Sequence, residues 1–132
     1  MTYLSRDDIL KAEDLKIQEV EIPDWGGIVR VRELNGVDRD TYEASLMRIL
    51  PDGKVTPNLE NRRAKLVALS VINEDGTPMF GLSDVLELGT KSAANLELVA
   101  EVSERLSGLT EEAVTDAVGN SEAAPGGDSA SD

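Results

Sequence analysis

Carboxylates are the only abundant chemistry-bearing side chains in this sequence: 26 Asp and Glu stand against 13 Lys and Arg, with no histidine and no cysteine. Without histidine there is no side chain that titrates unperturbed near neutral pH, and the commonest zinc ligand is gone. Without cysteine there is no thiol nucleophile, no thiolate ligand and no disulfide. The acidic clusters Asp7/Asp8, Asp38/Asp40 and Glu111/Glu112 could in principle share general acid and base work. Each stands at an expected helix start, however, where unpaired backbone N–H groups favour negative charge. Capping therefore accounts for them. Asn73-Glu74-Asp75-Gly76-Thr77 resembles a fragment of a calcium loop but lacks the alternating ligands and the terminal Glu. Pro51-Asp52-Gly53-Lys54 lacks phosphate-loop spacing. We expect no catalytic, cofactor-binding or metal-binding residues, and no enzyme.

One basic cluster stands out: Arg62, Arg63 and Lys65, with Arg48 and Lys54 near in sequence. Two readings are open. These cations pair with the protein's own acids, or they contact a partner or the acidic C-terminal region of another copy. The charge is uneven, net −2 over residues 1–65 and net −11 over 66–132. That balance opposes phosphate binding, so no nucleic acid partner is expected. It favours solubility or a basic protein partner.

The elements that must position these groups follow from periodicity. The organising stretch is Leu59 to Ile72, where Leu59, Leu66, Val67 and Leu69 recur at helical spacing. Asn58 can cap it and Gly76 can close the turn that follows. β-branched residues at its end leave a strand reading open. Residues 17–34 read as a β-hairpin with arms Ile17–Ile22 and Ile28–Leu34. A tight turn at Trp25-Gly26 would pair Ile22 with Val29, Val20 with Val31, Glu21 with Arg30 and Glu19 with Arg32. Trp25, the single tryptophan, is then either folded onto the core or an exposed contact residue. Helices are expected at about 37–50, capped by Asp38 or Asp40, and at 59–72, 83–88, 91–107 and 110–118. A low-aromatic chain implies an aliphatic core. Leu96, Val99, Val102 and Leu106 form a stripe on the 91–107 helix. That stripe is either ordinary core or an exposed groove for an apolar helix.

Residues 1–14 are an N-terminal segment in which Ser5 can cap a short helix with Asp7 and Asp8 in its first turn. Residues 119–132 hold no large apolar side chain and are expected to be disordered in isolation. No run of 18 apolar residues exists and the start lacks a secretory h-region, which makes a cytoplasmic protein the default. The expected class is thus α+β and mostly helical. A hairpin packs on a bundle of about four to five short helices, in one domain over residues 15–118.

Residues 59–82 also carry a resemblance. Ala64 to Ile72 (AKLVALSVI), then Asn73 to Phe80 (NEDGTPMF), then a Leu-Ser-Asp-Val helix start at residue 82 resemble tail assembly chaperones of long-tailed, siphovirus-like bacteriophages. The likeness extends over about residues 15–107. It includes a strand pair ending in Val-Arg-Glu-Leu and an acidic helical end. The resemblance implies binding to the tape measure protein, recruitment of tail tube protein, and absence from the mature virion. It also implies action in the cytoplasm of the infected host. A longer frameshifted product is common in the family. No individual functional residue carries over.

The residues compatible with partner binding are Trp25, Arg62, Arg63, Leu96, Val99, Val102 and Leu106. Many copies along one long client would gain avidity from weak contacts, which makes a homo-oligomer on the client a hypothesis to test. The competing class is a structural tail completion or connector subunit retained in the particle.

Overall fold

The computed structural model describes residues 2–109. The expected helix at 110–118 and the tail at 119–132 lie outside the described residues. Within the described residues the architecture is α+β, with five α-helices and a small antiparallel sheet.

The first helix, α1 (Arg6–Lys11), is closed by a full capping box. The Ser5 hydroxyl accepts from the Asp8 N–H at 3.1 Å, and the Asp8 carboxylate accepts from the Ser5 N–H at 2.9 Å. Next come β1 (Ile17–Ile22) and β2 (Gly27–Arg32), joined by a short 3-10 turn at Pro23–Trp25. Gly26 takes a positive φ of 80° at the end of that turn. This conformation is open to glycine and costly for residues with a Cβ.

The hairpin register differs from the expected one by two residues. Val20 pairs with Val29, Ile22 with Gly27, Glu19 with Arg30 and Gln18 with Val31. The loop needs four residues because proline fixes the entry and Trp25 sits in the turn itself. A shift of two preserves which face each side chain takes. Val20, Ile22, Val29 and Val31 therefore still point together, and Val31 and Ile22 are buried.

Helix α2 (Gly36–Ser45) is capped by Asn35, whose side-chain oxygen accepts from Asp38 N–H at 2.8 Å, rather than by Asp38 or Asp40. It stops at Ser45, short of the expected residue 50. Residues 47–49 instead form β3 (Met47–Ile49), paired with β4 (Val55–Pro57) in a second hairpin. The polar Pro51-Asp52-Gly53-Lys54 stretch is its turn, and Leu50 N–H donates to Lys54 C=O at 2.7 Å.

The central helix is α3 (Arg62–Ser70), shorter at both ends than 59–72. Asn58 does not cap it. Its amide donates to the Ser45 carbonyl and its side-chain oxygen accepts from Glu60 N–H, which locks the preceding turn. Val71–Ile72 form β5, the third strand, pairing with Val31 and Arg30 of β2. The β-branched end of the apolar run thus leaves the helix for the sheet, in the order β1-β2-β5.

Asn73 to Thr77 then make a turn in which the Asp75 carboxylate accepts from the Thr77 N–H and hydroxyl. Gly76 holds φ 90° there. After a 3-10 turn at Leu82–Asp84 comes α4 (Val85–Leu88), and then α5 (Ala93–Leu106), capped by Ser92. The Asp84 carboxylate closes the 3-10 turn by accepting from Gly81 N–H, and α4 itself starts without a side-chain cap.

The core lies between the sheet, α3 and α5. It is built from Ile22, Val31, Val67, Val71, Val85, Leu88, Leu96 and Val99. A smaller group, Leu34, Tyr42, Leu66 and Ala100, seals the α2 side.

Candidate functional site

Arg62 of the basic cluster is half-buried, while Arg63 and Arg48 stay exposed. Arg62 begins α3, and its guanidinium donates to Glu104 at 2.7 Å and to Glu97 at 3.5 Å. Glu97 and Glu104 lie seven residues apart, two turns along α5, and so share one face. Arg63 reaches the same Glu97 carboxylate. The Tyr42 hydroxyl sits beside Arg62.

Burial pushes the Glu104 carboxyl above its ordinary range. Arg62 pulls it back, while Glu97 and Glu101 add repulsion in the same direction as burial. Burial raises the Tyr42 phenol, opposed by Arg62. For Arg62, burial works against the charge, but Tyr42 and the two glutamates outweigh it and hold the guanidinium protonated. Lys65 donates to the Ser45 carbonyl, and Arg48 donates to Asn58 and Glu60. The cluster is therefore a clasp between α2, α3 and α5.

The α5 stripe is core. Leu96, Val99 and Val102 are buried, and Leu106 packs half-buried against them. They form no exposed groove, because α5 turns this face onto α3 and the hairpin, where the sheet's own apolar side chains need a cover.

Trp25 is found elsewhere. The β1–β2 turn carries it to the edge of an open cleft of about 410 Å³ lined with Phe80, Asp84, Glu87, Leu88 and Lys91. The residue remains 38% exposed, so it neither buries in the core nor projects freely. Asp24 beside it accepts from the Asn95 side-chain amide at 3.1 Å, tying the turn to α5. Periodicity does not bring Phe80, Asp84, Glu87, Leu88 and Lys91 together as one site. The available signals were the pairing of Met79 with the single phenylalanine after the turn, and a lone tryptophan in a hairpin loop.

Exposed aliphatic surface is plentiful. Tyr3, Leu4, Ile9 and Leu10 of the N-terminal segment are exposed, and α1 has no buried residue. Met47, Ile49, Val55, Leu82 and Leu86 are also exposed. Among the described residues, no group of three or more carboxylates is placed to hold a metal ion. No described helix is long and apolar enough to cross a membrane.

No protein family matches the chain by sequence, and no curated protein does. Among solved structures, the chain is similar to the tail assembly chaperone of bacteriophage HK97. The likeness covers 74% of this chain and 94% of that one, with a TM-score of 0.51 at 14% identity. The two share a fold. The matched part of this chain thus corresponds to nearly the whole HK97 domain. At this identity, the likeness speaks to the path of the backbone and not to individual side chains.

Proposed function

We propose that this chain is a bacteriophage tail assembly chaperone. It binds the tape measure protein, keeps it soluble until the tail tube protein polymerises around it, and performs no chemistry of its own. The observation that supports this reading is the shared fold with the HK97 chaperone, taken as an analogy of fold. Two physical features agree with it. Exposed aliphatic side chains on several elements provide places to hold an apolar client. A formal charge of −13 keeps such a surface in solution. The protein would act in the cytoplasm of the infected host and leave before the virion is complete. Several copies along one client would bind by avidity.

The test is co-expression with the tape measure protein of the same genome. A soluble complex, with the client insoluble alone, supports the reading. A client that stays insoluble, together with this chain found by mass spectrometry in purified particles, would replace it with a structural tail subunit.

A further inference from the structure

We propose that the cleft beneath Trp25 is the docking site for a basic amphipathic helix of a partner protein. An aliphatic seam on that helix would insert between Trp25, Phe80 and Leu88, and its lysines or arginines would meet Glu87 and Asp84. This rests on the chaperone reading and gives it a surface.

The walls are the 3-10 turn at Pro23–Trp25 on one side and α4 with its exit on the other. Several of their backbone N–H groups are already used: Gly26 N–H bonds to Pro23 C=O, Thr90 N–H to Glu87 C=O, and Lys91 N–H to Leu88 C=O. These walls present no strand edge, so an extended peptide has no ladder to join. Recognition must come from side chains entering the cleft, which is how a helix binds a groove. The volume of about 410 Å³ is open rather than enclosed and suits a few inserted side chains.

Charge selects the occupant. Among the described residues, Asp84 and Glu87 form no ion pair, in contrast to Glu97 and Glu104, which Arg62 and Arg63 occupy. Among the described residues, Lys91 is the one cation lining the cleft. A second copy brings another −13. The helix it could offer, α1, balances Asp7 and Asp8 with Arg6 and Lys11 and so brings no net positive charge to the rim. The complementary partner is therefore a cationic helix from a different protein.

Trp25 is the single tryptophan and reports on the cleft directly. The probe is a synthetic helix of about 18 residues, five turns, with leucines along one face and lysines beside them. The counter-probe is the same peptide with glutamates in place of the lysines. Titrated into the full chain, the lysine peptide should shift Trp25 emission to the blue and saturate, and the glutamate peptide should not. Glu87→Lys should weaken the lysine peptide about tenfold. Glu101→Lys changes the net charge equally at an exposed site on α5 and should leave binding within about twofold. An unmoved Trp25 emission, or equal weakening by both variants, overturns the proposal. Co-expression with the tape measure protein separates the two levels. If Glu87→Lys retains the client as well as the unaltered chain does, the cleft is refuted and the chaperone reading stands. If the unaltered chain fails to hold the client while the peptide results hold, the cleft stands and the chaperone reading fails.

Discussion

Val99→Ala tests whether the apolar face of α5 is core or client surface. Val99 is fully buried, in the cluster with Val31, Val67 and Leu96. The change removes two buried carbon groups, each worth about 0.8 kcal/mol in transfer. Incomplete collapse around the missing volume adds a cavity cost, for a total loss of about 2–3 kcal/mol. Domains of this size are stable by only about 5–15 kcal/mol. The variant should therefore melt roughly 10 °C lower and lose about 1 M or more from its urea midpoint.

The control is Leu98→Ala on the same helix. Leu98 is 44% exposed, so its loss should cost under about 1 kcal/mol despite the larger side chain. The assay is urea unfolding followed by far-UV circular dichroism, with the slope checked for constancy. Refutation would be a Val99→Ala protein as stable as the unaltered chain that no longer holds a client. That outcome would mean the α5 face opens to bind.

Arg62→Met should destabilise the fold by about 1–3 kcal/mol by leaving half-buried Glu104 beside Glu97 without a cation. Adding Glu104→Gln should restore part of the loss in the same unfolding assay. The pH dependence has two limbs. Glu104 has a raised pKa in the folded state, so its contribution to stability is full below its unfolded pKa and is lost as pH rises through the folded value. Asp8 and Asp75 have lowered pKa values, caused by hydrogen bonds from Ser5 and Thr77. Their contributions are present above the ordinary carboxylate range and are lost as pH falls through it. Melting temperature should thus rise as pH drops through the raised folded pKa of Glu104 towards the ordinary carboxylate range, then fall below that range. Glu104→Gln should flatten the first limb only. Gly76 has φ 90° and open space where a methyl group would sit, so Gly76→Ala should cost about 1–2 kcal/mol from backbone strain alone. Calorimetry would read this as a lowered melting temperature.

The elements legible in the sequence were those in which one periodicity runs unbroken. The hairpin faces could be read because Val20, Ile22, Val29 and Val31 alternate with charges. Alternation leaves the register free by steps of two, and the turn made the choice through Pro23 and Gly26. Helix ends were less legible because local bonds competed for them. Residues 47–49 left the α2 stretch to pair with residues 55–57, and Val71-Ile72 left α3 for the sheet. Both departures are tertiary: the partner strands supply hydrogen bonds that a helix-by-helix reading does not see.

The same distinction explains the candidate sites. Arg62 and Arg63 were visible as a cluster, but their partners Glu97 and Glu104 lie more than 30 residues away, so pairing and partner binding both stayed open. The stripe Leu96, Val99, Val102 and Leu106 carried a clear period, and a clear period is what a core helix requires. The cleft has no period at all. It draws Trp25 from a hairpin turn, Phe80 from a loop, Leu88 from the last residue of a one-turn helix and Lys91 from a connector. Each of these positions sits where regular structure ends; Leu88 and Phe80 still pack on the core from the cleft's inner side, while Trp25 stays exposed at its edge. Changing Trp25 or Lys91 would alter the cleft and leave the packing of α3 against α5 intact.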